Sequence, residues 1–488
     1  MDFTRRTFLA GAGATAGLLA APGAFAGPDV PGWQVGWTNA PASGYAPAPM
    51  RLISGALPDE FEGSLYRNGP AWFRYGDDYT GHWFDGDGMV QRIAFGNGKA
   101  VHSGQFVQTH KHKAEQEAQK FLATGFGTAG DPSYSIMAVD DVNAANTAIL
   151  SANGDLFALW EAGSAMQIDP ATLETIGPKT WSDDLKGMPF LAHPKVEPNG
   201  RIWNIASSGQ ILGIYDIAPG GKVDRFEIVD IGKTAYLHDW AMSERHLILL
   251  VQPWIQTRSL PPFVNSLEWR PEEGLQILII DKDDLSSRRW VEAPAFSFYH
   301  TGTACEDADG TLHIDAVLYD EPILGEGGAT GLMAGHFNPA VDQHEGYLSR
   351  ISVSPDGKTR IDRTSVDGEF PAVHPGYMGQ NCRLTAVVGG HAPGRPIATT
   401  VTVFDWHTGT ADNFNFGPDR MVEEHVMVPK PGRTGEDDAW LVGTVLNIRT
   451  QSSEVHIFDA KHISSGPLAS FSADYSWPLG FHGAFVSS

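Results

Sequence analysis

Cysteine is nearly absent: Cys305 and Cys382 are the only two in 488 residues. That excludes a disulfide framework and a thiolate-rich zinc site, and leaves two unpaired buried thiols as the expected state rather than a single disulfide. Thiolate chemistry is therefore not expected, and any bound metal must be held by histidine and carboxylate. Positive charge is also scarce, with 34 Lys and Arg against 58 Asp and Glu and a net charge of −24. A nucleic-acid partner is disfavoured, because like charges repel. Beyond the first 26 residues no stretch approaches a membrane-spanning helix. No Pro/Ser/Thr-rich or charged linker divides residues 30–488, so residues 27–488 are expected to form one domain.

The N-terminus reads as a targeting segment. Arg5-Arg6 stands before a Gly/Ala/Leu-rich stretch too short to span a bilayer comfortably, and Ala24-Phe25-Ala26 supplies an A-x-A cleavage signal. Residues 1–26 are accordingly expected to be a twin-arginine export peptide, with a periplasmic mature chain starting near Gly27. That route carries folded proteins, which suits a protein loaded with metal before export.

The remainder reads as all-β. The 55 glycines and 32 prolines follow no strict period, as expected for many short strands joined by tight turns. Apolar residues followed by Asp and a turn recur at Asp169, Asp216, Asp281, Asp405 and Asp459. The spacings Asp169 to Asp216 (47), Asp216 to Asp281 (65) and Asp405 to Asp459 (54) fit four strands plus loops. A closed β-propeller is expected in preference to an array of sandwiches. One helical pattern runs from His112 to Ala123, with Ala114, Ala118, Phe121 and Leu122 at helical spacing. It is expected to cap the propeller or lie in a long loop. His110-Lys111-His112-Lys113 is expected to be solvated, because its lysines would repel a cation.

Four of the 18 histidines stand at the edges of apolar strands: His193 in Leu-Ala-His-Pro-Lys, His238 in Tyr-Leu-His-Asp-Trp, His300 in Phe-Tyr-His-Thr-Gly and His482 in Gly-Phe-His-Gly. Pro194 forces an extended conformation on His193. Residues far apart in sequence converge on the axis of a propeller, so these four have the means to surround one ion. Taken singly, each is more often a core histidine than a ligand.

Ordered motifs go further. Tyr66-Arg67-Asn68-Gly69-Pro70, His82-Trp83-Phe84-Asp85-Gly86-Asp87-Gly88-Met89, Ala158 to Gly163, Ala192-His193-Pro194-Lys195, Leu237-His238-Asp239, Gly368-Glu369-Phe370-Pro371, Val426 to Gly432, Glu436-Asp437-Asp438 and Gly480-Phe481-His482-Gly483 span almost the whole mature chain. Together they resemble the carotenoid cleavage oxygenase family. The resemblance implies a seven-bladed propeller capped by helices and loops, with Fe(2+) on His193, His238, His300 and His482. It also implies that Glu161, Glu369 and Glu424 stand behind three of those histidines, although Glu423 is an alternative to Glu424. A carboxylate accepting the second ring N–H fixes the tautomer and makes the imidazole a better ligand. Thr147 resembles a family threonine that crowds an open metal position.

The implied reaction is scission of a C=C bond with O2 to give two carbonyl products. The substrate is an apolar polyene, a carotenoid or apocarotenoid, reached through an aromatic-lined tunnel with Leu260-Pro261-Pro262-Phe263-Val264 as an apolar lip. Stilbene-cleaving relatives carry a Tyr and a Lys that engage a phenol; here Phe106 and Trp160 stand at the matching positions and favour the polyene. Stilbene or phenylpropene cleavage and retinoid-type isomerisation remain alternatives on the same scaffold. Outside the class, a calcium-dependent lactonase would need carboxylate ligands on the axis, and a non-catalytic interaction platform would leave the histidines incidental. Peripheral membrane contact for substrate uptake is left open, as is the oligomeric state.

Overall fold

The computed structural model describes residues 32–325, 330–333, 346–380, 383–391 and 396–488. The export segment and Cys382 lie outside these residues, whereas Cys305 is buried in the strand Ser297–Glu306. Among the described residues no helix is long and apolar enough to cross a membrane.

The chain is all-β and propeller-like, with few helices. Five four-stranded antiparallel sheets follow one another along the sequence, each built as a meander. Their strand sequences explain their layering. The central pair of one sheet, His246–Val251 and Leu275–Asp281, is a near-continuous Ile/Leu/Val run, because both of its faces are covered by neighbouring sheets. The fourth strands, such as Thr410–Asn415, alternate between exposed and half-buried and form the rim. Side chains interlock between sheets: Ile248, Leu250, Ile277 and Ile279 pack against Phe298, Ile314 and Leu318 of the next. Each fully buried aliphatic side chain of this kind contributes about 1.5–3 kcal/mol.

The recurring Asp has a local cause. Asp169, Asp281, Asp405 and Asp459 each end a strand run and accept the backbone N–H two residues on, closing the turn. Asp216 departs from this pattern: it is buried and paired with Arg201 and Arg225.

Seven separate blades are not found. Besides the five four-stranded sheets there is one nine-stranded sheet. Its continuity comes from the strand Tyr45–Gly55. The first half of that strand pairs with Lys99–Phe106 and the second half with Ala469–Ser472, so the ends of the chain are hydrogen-bonded into one sheet. The last strand, Gly483–Ser487, pairs with Gly63–Trp72.

The helix runs His110–Ala118, not His112 to Ala123. Thr109 caps it by accepting His112 N–H, and Gln119, at φ 53°, turns the chain left-handed and ends it. The solvated reading of residues 110–113 also fails at its centre, since Lys111 and His112 are buried. Asp87 and Glu115 compensate the Lys111 charge there.

Candidate metal centre

The first strands of four successive sheets and the two edge strands of the nine-stranded sheet carry, or directly follow, the site residues. His193 precedes Lys195–Val196, His238 precedes Ala241–Met242, and His300 lies in Ser297–Glu306. Glu369 opens Glu369–Ala372, Glu424 lies in Arg420–Pro429, and His482 precedes Gly483–Ser487. Because each first strand faces the common axis, these remote segments meet at one place.

The structure brings all four histidines together, their ligand atoms within 4.8 Å of one another. Nε2 of His238 lies 3.1 Å from Nε2 of both His193 and His300, and Nε2 of His482 lies 3.0 Å from that of His300. The other ring nitrogens are turned to carboxylates. His482 Nδ1–H donates to Glu424 Oε1 at 2.7 Å, and His300 Nδ1–H donates to Glu369 Oε2. Glu161 Oε1 lies 2.8 Å from His238 Nδ1, at an oblique angle, and neither atom has another partner. Among the described residues no carboxylate stands against His193.

A carboxylate that takes the Nδ1 proton leaves the Nε2 lone pair facing inward. Several such lone pairs at about 3 Å repel one another unless a cation lies between them, so the donor set fits a metal ion. Burial, followed by the neighbouring rings, pushes His193 well below the ordinary histidine value, which keeps it neutral for binding. Burial opposes ionisation of Glu369 and Glu424, yet both carboxyls are held below their usual range, Glu369 by His300 with Phe370 N–H and Tyr319 O–H, and Glu424 by His482 with Arg67 and Gly483 N–H.

His238, His300 and His482 stand in the wall of a cavity of about 550 Å³, which Trp83, Phe84, Phe126, Tyr236, Phe263 and Phe481 help to line. That size suits an organic ligand. Trp160 and Thr147 line it as well; the Thr147 hydroxyl donates to Asn146 Oδ1 at 3.0 Å, and the Thr147 carbonyl accepts His482 N–H at 3.1 Å. Phe263 places the expected lip at the cavity wall. Phe106 is misassigned. It is 3% exposed, packs with Ala40, Ala71 and Met89, stacks on His112, and lines no part of the cavity. Its strand register, opposite Met89, turns it into the core. Among the described residues the cavity wall holds no Lys or Arg.

Other residues escaped the sequence reading. Buried Arg67 donates to the Glu424 carbonyl (2.8 Å), Glu423 Oε1 (3.3 Å) and the Phe481 carbonyl (2.9 Å), which locks the His482 segment to the Glu424 strand. Glu423 serves Arg67, Thr444 and Gly480 instead of a histidine. Tyr319 O–H and Phe370 N–H both donate to Glu369, at 2.9 and 2.8 Å. Phe370, at φ 53°, stacks on His300. Arg67 stood inside a family motif and was findable there, whereas Tyr319 carried no signal in the sequence.

A propeller-like chain with convergent, carboxylate-backed histidines in an organic-sized cavity defines a class of proteins equipped to bind a metal on the axis. The chain belongs to the carotenoid cleavage oxygenase family: the family model described as retinal pigment epithelial membrane protein matches residues 39–487. It is 28% identical to apocarotenoid-15,15'-oxygenase of Synechocystis sp., over 89% of this chain and 92% of that protein. To lignostilbene-alpha,beta-dioxygenase isozyme III of Sphingomonas paucimobilis it is 27% identical, over 89% and 93%. The solved structure of cobalt-substituted Synechocystis apocarotenoid oxygenase superposes with a TM-score of 0.84 at 26% identity, over 94% of this chain and 98% of that one. The chain is thus an oxidoreductase of the dioxygenase type.

Proposed function

We propose that the protein is an iron(II)-dependent dioxygenase that cleaves a C=C bond of an apolar polyene, a carotenoid or apocarotenoid, with O2. One observation carries the reading: four imidazoles converge at one point, three of them (His238, His300 and His482) in the wall of an apolar, aromatic-rich cavity without a lysine or arginine among its described residues. Phe106 does not favour the polyene over a stilbene; that preference rests on Trp160 and on the absence, among the described residues of the wall, of a cation to pair with a phenolate.

His193, His238, His300 and His482 would hold the iron, which when bound supplies the activation of O2. The rest is the work of the protein. Glu369 and Glu424 keep the Nδ1 protons of His300 and His482, so no ligand proton is delivered to the reacting centre. Tyr319 and Phe370 hold Glu369 in place. The aromatic wall binds the polyene, orients it toward the histidines and excludes water. One alkene and one O2 give two carbonyl products, with no external reductant.

An apocarotenal and a hydroxystilbene offered under 18O2 test this. Two carbonyl products from the apocarotenal, each carrying label, are expected, with about one iron per chain that is lost in His238→Ala. Turnover of the stilbene alone would overturn the substrate class, and an isomerised, unlabelled product would overturn cleavage. We further read the nine-stranded sheet as two blades fused by strand Tyr45–Gly55, giving seven in all. Residues 1–26 we read as an export signal to the periplasm, which the size of the mature chain in that fraction would test.

A further inference from the structure

Against the cavity wall, which Asp85 itself lines, lies a buried charge cluster that the proposed chemistry does not use. Lys111, 4% exposed, directs Nζ to Asp87 Oδ1 (2.7 Å), Glu115 Oε2 (2.9 Å) and the Asp85 carbonyl (3.4 Å). Asp87 also faces His112 Nδ1 at 2.9 Å. The carboxylates are not idle. Glu115 Oε1 accepts the N–H groups of Leu122 and Ala123, both at 2.9 Å. Asp85 accepts Phe126 N–H (2.6 Å), Gly127 N–H (2.9 Å) and Thr128 Oγ1–H (2.7 Å). Two buried carboxylates therefore hold the strap of residues 122–128, and Lys111 contacts the residues of both.

The strap in turn holds the lip. Phe263 N–H donates to the Gly125 carbonyl (3.2 Å) and Val264 N–H to the Phe126 carbonyl (2.8 Å). Thr124, Gly125, Phe126 and Phe263 all line the cavity. An apolar chain in an apolar cavity has no directional bond to fix its register, because hydrophobic contact is non-directional. Its position must come from the shape of the wall. A buried carboxylate that loses its cation is strongly destabilised, so the geometry of the strap depends on Lys111.

We propose that this buried clamp, Lys111 with Asp85, Asp87 and Glu115, determines specificity: by fixing the strap and the lip it sets how far a long polyene slides before one of its double bonds meets the four histidines. The proposal rests on the cleavage reading above. These are positioning residues; none of them touches the histidine cluster.

The test uses the full-length, iron-loaded enzyme and the variants Lys111→Met and Lys111→Met/Glu115→Gln, with apocarotenals of two chain lengths. Lys111→Met is expected to keep its iron, to speed amide exchange at Leu122, Ala123, Phe126 and Gly127, and to change the ratio of cleavage products by about threefold or more, because small misplacements at a reacting centre have large kinetic effects. The double variant removes cation and carboxylate together and is expected to recover much of the wild-type ratio. An unchanged ratio in Lys111→Met, or a change accompanied by loss of iron, overturns the proposal. Should Lys111→Met fail to fold, Thr128→Val, which removes one donor to Asp85, is expected to shift the ratio in the same direction, and no shift overturns the proposal. If the wild-type enzyme cleaves neither polyene, the cleavage reading fails by itself. The clamp is then judged by anaerobic binding of the same two polyenes, where an unchanged chain-length preference in Lys111→Met overturns it.

Discussion

Replacing Glu424 by Gln is a near-isosteric change with an asymmetric consequence. Both carboxylate oxygens face donors: Oε1 faces His482 Nδ1 and Oε2 faces Gly483 N, each at 2.7 Å. A glutamine has one acceptor oxygen and one NH2. If the NH2 meets Gly483, a buried N–H loses its acceptor. If it meets His482, the ring must accept at Nδ1 and carry its proton on Nε2, and its lone pair no longer points at the metal. Arg67 Nη1, 3.9 Å from Glu424 Oε2, loses part of its counter-charge in either case. Partners of this kind are worth roughly 10–100-fold in metal affinity, or about 1.4–2.8 kcal/mol. Titration of iron-loaded enzyme against a competing chelator measures the loss directly. Glu424→Gln should therefore release iron at about a tenth to a hundredth of the wild-type stability, with the circular dichroism of the sheets unchanged. A wild-type chelator curve would refute the reasoning, because it would mean that His482 is not held by Glu424 or does not bind the metal.

Tyr319→Phe removes one of the donors that seat Glu369 and should weaken iron less than Glu424→Gln does, by about 1 kcal/mol on the same chelator scale. Stripping the metal should lower the free energy of unfolding in urea by about 2.7 kcal/mol relative to enzyme held at a hundredfold excess of metal over Kd, and adding metal back should restore it. Burial pushes His102 down to about 3, where it stays neutral between Gln91 and Tyr475. The unfolded chain takes up this proton below about pH 6.5 and the folded chain does not, so this contribution to stability is full above pH 6.5 and declines as pH falls toward 3. His102→Gln should accordingly flatten the fall in stability between pH 6 and pH 4 by about 1.4 kcal/mol per pH unit, as read from urea midpoints.

Much of the site was legible because its residues sit in short, ordered strings. His193 before Pro194, and His482 between Phe481 and Gly483, are marked by their neighbours, and Glu161 and Glu369 follow from the motifs that hold them, whereas Glu424 came only from the family resemblance, with Glu423 as its alternative. Which carboxylate serves which histidine was not legible, because pairing depends on the order of strands around the axis. Phe106 failed for a related reason: the side a strand residue faces is fixed by register, here with Met89, and a one-residue slip reverses it. Lys111 failed for another. A lysine flanked by lysine and histidine reads as solvated, and its counter-charge, Asp87, is supplied 24 residues earlier in the chain. The helix end at Gln119 was hidden because a left-handed glutamine leaves no glycine to mark it.

Strand Tyr45–Gly55 bridges the two ends of the chain, and Gly483–Ser487 is seated against Gly63–Trp72 directly after His482. The fourth histidine is thus placed by a strand that lies C-terminal to all the other described strands. A nascent chain still in the ribosome can assemble sheet after sheet, yet it has only three of its four imidazoles in position. Metal capture would therefore serve as an inspection of the assembled sheets: without strand Gly483–Ser487 the seat for His482 is missing, and a loaded centre would certify that this strand and Gly63–Trp72 have been made and paired.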